Sequence, residues 1–127
     1  MKRILVFGLV LVLLAACTSQ PTYTDNGNPG QIKAVVFYDD NKNGVMDGGE
    51  VGAPQRVAIS QDVSCPPTTT PNFIGTDASG VVTFNDLKPG MYCVFVDNGS
   101  GMTTKLTNQV YVSSDMVTTV YFGVVRE

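Results

Sequence analysis

Residues 39–50 read Asp-Asp-Asn-Lys-Asn-Gly-Val-Met-Asp-Gly-Gly-Glu, and the interpretation of the rest of the chain depends on this stretch. It fits the twelve-residue calcium-loop pattern D-x-[DN]-x-[DN]-G-x5-E at every specified position. Because Ca²⁺ binds about six to eight oxygen ligands, this spacing is typical of a loop that wraps several oxygens around one cation. The predicted ligands are five side chains and one backbone carbonyl, the latter from Val45: Asp39, Asn41, Asn43, Asp47, Glu50 and Val45.

The competing interpretation of this loop is a turn that binds nothing, since Asn, Asp and Gly are favoured in turns for their own reasons. Oxygen-bearing residues in register with Gly44, at the position of the sharp turn, favour calcium. The flanks are unusual, because an EF-hand has a helix on each side. Here the preceding Ile32–Tyr38 is rich in β-branched and aromatic residues, which predicts a strand.

Further strand-like segments follow the loop, and no stretch shows a convincing helical period. Alternation places Val82 and Phe84 inward, and it places Tyr92, Val94 and Val96 together on one face of their strand. Seven short strands separated by turn residues predict an all-β, antiparallel sandwich. The predicted strands are residues 32–38, 55–61, 73–76, 81–84, 91–97, 105–112 and 117–125.

The first sixteen residues predict a targeting segment, in which Lys2 and Arg3 precede an apolar run from Ile4 to Leu14. One interpretation is an ordinary secretory signal that is cut after Ala16. The motif Leu-Ala-Ala-Cys at residues 14–17 nevertheless resembles the bacterial lipobox. That resemblance implies cleavage before Cys17 and a lipid on its sulfur, which would hold the mature chain on a membrane.

These observations predict three parts of the chain: a lipoprotein signal peptide at 1–16, a flexible tether at 17–30 and a β-sandwich domain at 31–127. The expected location is that of an exported, membrane-anchored lipoprotein. In a Gram-negative cell, Thr18 after the cysteine resembles the outer-membrane sorting pattern. In any other cell we expect the protein at the cell surface.

Composition argues against nucleic-acid binding and catalysis. The chain has 8 basic and 11 acidic residues, and loss of Lys2 and Arg3 with the signal leaves a net charge of −5. The remaining basic residues are scattered, so there is no basic stripe for nucleic acid. The chain has no histidine, no motif pairs a serine with a lysine, and the clustered carboxylates lie in one short loop. We therefore expect no enzymatic activity.

Cys65 and Cys93 remain once Cys17 is assigned to the anchor. An even pair of cysteines in an exported chain predicts a disulfide, worth roughly 3–4 kcal/mol from the chain entropy of its loop. The alternatives are two free thiols or half of a metal site. A single pair without histidine makes a poor zinc site, which favours the disulfide.

Residues 36–50, with Gly52 and the segment 57–59, resemble the calcium-binding B domain of serine-aspartate-repeat surface adhesins. The resemblance continues further along the chain and extends over about residues 31–125. It includes the segment 76–80, the residues Phe84 and Leu87, the run 89–92 and the closing Phe122-Gly123. The second half is also shared with collagen-adhesin B-type domains. The resemblance implies a Greek-key sandwich of the prealbumin or transthyretin type, with an Ig-like architecture and Ca²⁺ in the loop after the first strand.

In that family such domains serve mostly as stalk or spacer modules of surface proteins. The chain departs from the pattern in three ways: one domain follows a lipid anchor, the Cys65/Cys93 pair is additional, and residues 117–125 contain no Asn to form an isopeptide bond with Lys33. The expected function is a lipid-anchored structural or interaction module of the cell envelope, stabilised by calcium. Its expected partners are the membrane, through Cys17, and an extracellular or periplasmic protein or glycan. The alternative is a ligand- or carbohydrate-binding lipoprotein that uses the loops 65–72 and 97–103.

Overall fold

Two β-sheets pack face to face in a computed structural model that describes residues 22–61, 64–69, 71–97 and 99–127. The predicted signal peptide and Cys17 lie outside the described residues. All seven predicted strands are confirmed: β1 Gly30–Tyr38, β2 Arg56–Ser60, β3 Ile74–Gly75, β4 Val81–Leu87, β5 Gly90–Val96, β6 Thr107–Val112 and β7 Val117–Val124. The described ranges hold no helix that is long and apolar enough to cross a membrane.

The first sheet has the strand order β4-β1-β7 and the second the order β3-β2-β5-β6. The predicted all-β sandwich class is confirmed, and four of the five strand pairs are antiparallel. The pair of β1 and β7 is instead parallel, with Gln31 opposite Val117 and Tyr38 opposite Val124. The alternation of apolar and polar residues along a strand predicts which side chains face inward. It does not predict whether the neighbouring strand runs parallel or antiparallel. The domain between β1 and β7 supplies the long crossover that a parallel pair requires.

The core lies between the sheets and contains the side chains that alternation places inward. Val82, Phe84, Tyr92, Val94 and Val96 are all buried in it, as predicted. Both faces of β1 are covered, because buried residues succeed one another from Ala34 to Phe37. This agrees with a sequence that is apolar on both faces of that strand.

A second apolar cluster lies on the outer face of the second sheet. Ala58, Cys93 and Phe95 are buried there, and Cys65 and Phe73 pack against them from the proline-rich segment. The rings of Phe73 and Phe95 meet edge to face, with 5.5 Å between their centroids. The predicted disulfide Cys65–Cys93 is confirmed, with 5.4 Å between the two Cα atoms, and it holds this segment against the sheet.

The chain just before β1 is hydrogen-bonded to the turn between β6 and β7. The Ser114 N–H donates to the Thr24 carbonyl at 2.8 Å. The side-chain amides of Asn26 and Asn28 donate to the Asp115 carboxylate at 2.9 and 3.0 Å. The tether at 17–30 stays a prediction as a whole, but its described part nearest β1 lies against the domain. Polar composition predicts little burial for such a segment and carries no signal for hydrogen bonds to a turn almost ninety residues away.

Candidate metal site

The loop 39–50 is closed at its base by the first sheet. The Tyr38 N–H donates to the Val51 carbonyl at 2.9 Å, and the Asp39 N–H donates to the Val124 carbonyl at 2.9 Å. Phe37 and Gly52 form an isolated bridge just below the loop. The loop therefore connects β1 to a returning segment that pairs with it, and both ends of the loop are held by strands.

Asp39 organises the first half of this loop. Its side chain is only 1% exposed. One carboxylate oxygen accepts a hydrogen bond from the Asn43 N–H at 3.0 Å, and the other accepts one from the Gly44 N–H at 2.8 Å. Gly44 has φ +76°, a left-handed conformation that side chains rarely adopt, so the sharp turn predicted at this position is confirmed.

The two asparagines repeat the same local geometry. Asn41 Oδ1 accepts from the Asn43 N–H at 3.1 Å, and Asn43 Oδ1 accepts from the Val45 N–H at 2.8 Å. Their side-chain NH₂ groups both donate to Asp47 Oδ2 at 2.7 Å. Each bond between an oxygen and the N–H two residues ahead tightens the turn, so these side chains point into the loop.

Glu50 closes the loop from its far end. Its Oε1 accepts from the Asp40 N–H at 3.0 Å, and its Oε2 accepts from the Asp47 N–H at 2.8 Å. The last loop residue is thus connected to the beginning of the loop by its carboxylate. Backbone N–H groups hold the position of this carboxylate in the structure.

The predicted ligands share one loop, but their carboxylates are not clustered. Among the described residues, no three acidic or cysteine side chains lie close enough together to hold a metal ion. The donor set nevertheless fits a hard cation, because all six predicted donors are oxygens. A carbonyl or carboxylate oxygen that accepts one hydrogen bond keeps a further lone pair. The oxygens of Asp39, Asn41 and Asn43 can therefore keep their N–H bonds and still face a cation. The same holds for Glu50, whose two carboxylate oxygens each accept one N–H bond. The calcium assignment stays a prediction.

The segment 99–106 supports the site from the side, and the sequence interpretation missed this role. The Thr103 N–H donates to the Gly123 carbonyl at 2.9 Å, and Thr104 Oγ1 accepts from the Gly123 N–H at 3.1 Å. Thr103 Oγ1 is buried and makes no hydrogen bond of good geometry among the described residues, although it faces the Asp39 carboxylate. A Cβ added at Gly123 would overlap this hydroxyl and would lie 3.2 Å from Asp39 Cβ and Oδ2. An isolated glycine inside a strand is the one sequence signal for such a close approach.

The environment of Asp39 stabilises its ionised form. Burial by itself would raise the pKa of this carboxyl. The nearby Thr103 hydroxyl and hydrogen bonds from backbone N–H groups, among them those of Gly44 and Asn43, oppose that effect, and the pKa is lowered below its ordinary value. A buried carboxylate that stays ionised is suited to bind a cation.

The C-terminal segment contacts the base of the same loop. Arg126 Nε lies 3.3 Å from Asp40 Oδ1, and the guanidinium stands 4.4 Å from the centre of the Tyr38 ring. Both charged groups are about half exposed, so the ion pair adds little stability. Its consequence is positional, because it keeps residue 126 beside the loop.

The chain has relatives among proteins and solved structures. Colossin-B of Dictyostelium discoideum is 34% identical over 74 residues, which covers 50% of this chain and 2% of that protein. The minor pilin GBS52 of Streptococcus agalactiae has a TM-score of 0.52 and 16% identity, with 79% of this chain and 46% of the pilin covered. The Bacillus anthracis TIE protein has a TM-score of 0.51 and 14% identity, with 76% and 17% covered. At these identities the two structures show a shared fold, and the chain spans only a part of each relative.

The family comparison extends over most of the domain. The model of the SdrD B-like domain matches residues 30–120, from the first residue of β1 to the middle of β7, and includes the whole loop 39–50. This agrees with the resemblance read from the loop and from the turn residues. The chain therefore belongs to the SdrD B-like domain family.

Proposed function

We propose that this chain is a structural or interaction module of the cell envelope, exported, anchored by a lipid on Cys17 and stabilised by Ca²⁺ in the loop 39–50. The observation that carries the proposal is the attachment of both loop ends to the first sheet, through Tyr38 to Val51 and Asp39 to Val124. Membership in the SdrD B-like family, a family of adhesin-type surface domains, supports the cell-surface structural role.

The arrangement favours a structural ion over a calcium sensor. A sensor opens a helix pair when calcium binds, whereas the two ends of this loop are hydrogen-bonded to β1 and β7 of the first sheet. When bound, Ca²⁺ would offset the charges of Asp39, Asp47 and Glu50 and would join the two ends of the loop. Extracellular calcium modules bind with dissociation constants of roughly 10⁻⁴–10⁻³ M, so the site would be filled outside the cell.

The ligand-binding alternative has less support from the loops that would carry it. The segment with Cys65 is held on the outer face of the second sheet by the disulfide and by Phe73. The loop after β5 is hydrogen-bonded to β7 and to the residue that follows it: the Thr103 N–H donates to the Gly123 carbonyl at 2.9 Å, and the Val125 N–H donates to the Gly101 carbonyl at 2.7 Å. Both loops are therefore engaged with their own domain. We propose a module without catalytic activity.

Calcium binding can be tested residue by residue by NMR on the mature chain with Cys17→Ser. Titration with Ca²⁺ should shift the amide resonances of Asp40 and Asp47, because both N–H groups donate to the Glu50 carboxylate that would bind the ion. In Glu50→Gln the shifts should require far more calcium. Glu127→Gln removes the chain's other glutamate and serves as the matched control. The absence of shifts in the loop at millimolar Ca²⁺ would contradict the proposal.

The anchor requires a separate test. Mass spectrometry of the mature protein from the membrane fraction should find a diacylglycerol thioether on Cys17. A Cys17→Ser chain should lose this modification and leave the membrane fraction. A Cys17→Ser chain that stays on the membrane, or an unmodified Cys17 at the mature N-terminus, would contradict lipid anchoring.

A further inference from the structure

Exposed apolar side chains gather at the end of the sandwich where β1 begins. Tyr111 on β6 stands directly opposite Met91 on β5, and the ring of Tyr23 lies 6.0 Å from the ring of Tyr111. Thr118 Oγ1 donates to the Tyr111 carbonyl at 2.9 Å, which places the start of β7 beside them. We call the exposed apolar side chains at this end the proximal patch, which flanks the edge formed by β6 and β7. Its members and exposures are Tyr23 41%, Met91 40%, Tyr111 53%, Met116 59% and Val117 53%.

The tether leaves the domain at this same patch. Hydrogen bonds from Ser114 and Asp115 to the carbonyls of Thr24 and Pro29 fix the direction of the chain before β1. Tyr23 belongs both to this segment and to the patch. The five residue steps from Cys17 to Thr22 can span at most about 18 Å, so a lipid on Cys17 would keep the patch close to the bilayer.

The calcium loop lies at the opposite end of β1. Gly30 and Tyr38 are the two ends of this nine-residue strand, and eight residue rises separate them by about 26 Å. The two ends of the sandwich therefore differ in their distance from the anchor. The end with the proximal patch would face the lipid, and the end with the loop 39–50 would face away from it.

We propose that the proximal patch docks on the surface of the lipid bilayer, so that the domain rests on the membrane and is not held off from it. This inference rests on the lipid anchor of the proposed function. Tyrosines concentrate at membrane–water interfaces, where the ring is apolar and the hydroxyl remains hydrated. A short tether keeps the patch at an effective concentration on the order of millimolar, and weak contacts from a few side chains then suffice.

The charges around the patch select the kind of lipid. Four charged residues lie at this end of the sandwich. They are Asp25 before β1, Asp86 near the end of β4, Lys88 just after β4, and Asp115 in the turn between β6 and β7. The excess of acidic groups would be repelled by anionic headgroups. Docking should therefore occur on zwitterionic phosphatidylcholine and should weaken when anionic lipid is added.

A single-tryptophan experiment tests the docking independently of lipidation in the cell. The chain has no tryptophan, so Tyr111→Trp supplies a clean probe in the patch. Tyr121→Trp is the matched control, because Tyr121 is similarly exposed at 50% but lies beside Val45 and Met46 of the loop. The mature, unlipidated chain is coupled through its free Cys17 thiol to maleimide lipid in phosphatidylcholine vesicles that contain phospholipid brominated near the headgroup.

We expect the emission maximum of the tryptophan at position 111 to shift to shorter wavelength and its fluorescence to be quenched by the brominated lipid. The tryptophan at position 121 should keep its emission spectrum. Tyr23→Ser with Met91→Ser should reduce the quenching at position 111. Equal, unquenched spectra for both probes on coupled vesicles would overturn the docking. A blue shift at position 111 without vesicles, together with a dimer in sedimentation, would overturn it in favour of a second copy of the chain. Failure of the lipid anchor alone would appear as an unmodified Cys17 in the cell and would leave the vesicle result intact.

Discussion

The Asp39 carboxylate lies directly against Gly123 of β7. A β-carbon at position 123 would stand 3.2 Å from both the Cβ and Oδ2 atoms of Asp39 and would overlap the buried hydroxyl of Thr103. The first residue of the loop 39–50 thus depends on a strand more than eighty residues away in the chain. This contact makes the loop part of the sandwich and not a separate appendage.

The first prediction concerns this contact. Gly123→Ala should lower the free energy of unfolding by about 1–3 kcal/mol, the usual cost of forcing an extra carbon into a packed site. Urea unfolding at neutral pH measures the loss. Gly75→Ala is the control, because a Cβ at Gly75 meets nothing within 4 Å. Equal free energies of unfolding for the two variants would contradict the close contact between position 123 and Asp39.

The second prediction concerns acid stability. The pKa of Asp39 is lowered from 3.8 in the folded protein, so its contribution to stability is fully present above the unfolded-chain pKa. That contribution is lost as the pH falls from this value through the lower folded pKa. Without metal, Asp39→Asn should flatten the acid side of the stability profile. A variant that loses as much stability as the wild type between pH 5 and pH 2, roughly the range in which such a group titrates, would contradict this role.

The third prediction concerns the disulfide. Replacing both Cys65 and Cys93 with serine should cost about 3–4 kcal/mol, because the bond closes a loop with a sequence separation of 28. Denaturant unfolding in a Cys17→Ser background provides the measurement. Phe73 and Phe95 should also become more exposed, since the disulfide holds the segment that covers them. An unchanged midpoint would mean that this segment stays in place without the bond.

The fourth prediction concerns the segment before β1. Amides from Asn26 and Asn28 hydrogen-bond to the Asp115 carboxylate, and these bonds lower its pKa. Asp115→Ala should release this segment and speed its cleavage by a protease, with little change in global stability. Asp86→Ala is a suitable control, because both aspartates have positive φ, +59° and +54°. Equal cleavage of the two variants would indicate that the asparagine contacts do not hold the segment.

Much of the fold is readable from local patterns. Alternation in Tyr92, Val94 and Val96 identifies the buried face of β5, and the spacing of Asp39, Asn43 and Gly44 gives the turn that the structure shows. These features depend on residues a few positions apart. Local sequence therefore contains the information that determines them.

The contacts across the sandwich were not predictable in the same way. The parallel pairing of β1 with β7, the approach of Thr103 to Asp39 and the bonds from Asn26 to Asp115 all join segments far apart in sequence. Each depends on how the sheets are arranged in space. Gly123 carried the one local signal, as a glycine inside a strand.

The most direct test of the calcium site is thermal unfolding of the mature Cys17→Ser chain, with EGTA and with millimolar Ca²⁺. A cation that binds only the native state at ten to a hundred times its dissociation constant should add about 1–3 kcal/mol of stability. We predict a higher Tm with Ca²⁺ in the wild type and in Glu127→Gln, and no such rise in Glu50→Gln. An identical Tm with EGTA and with Ca²⁺ in the wild type would contradict the structural calcium site.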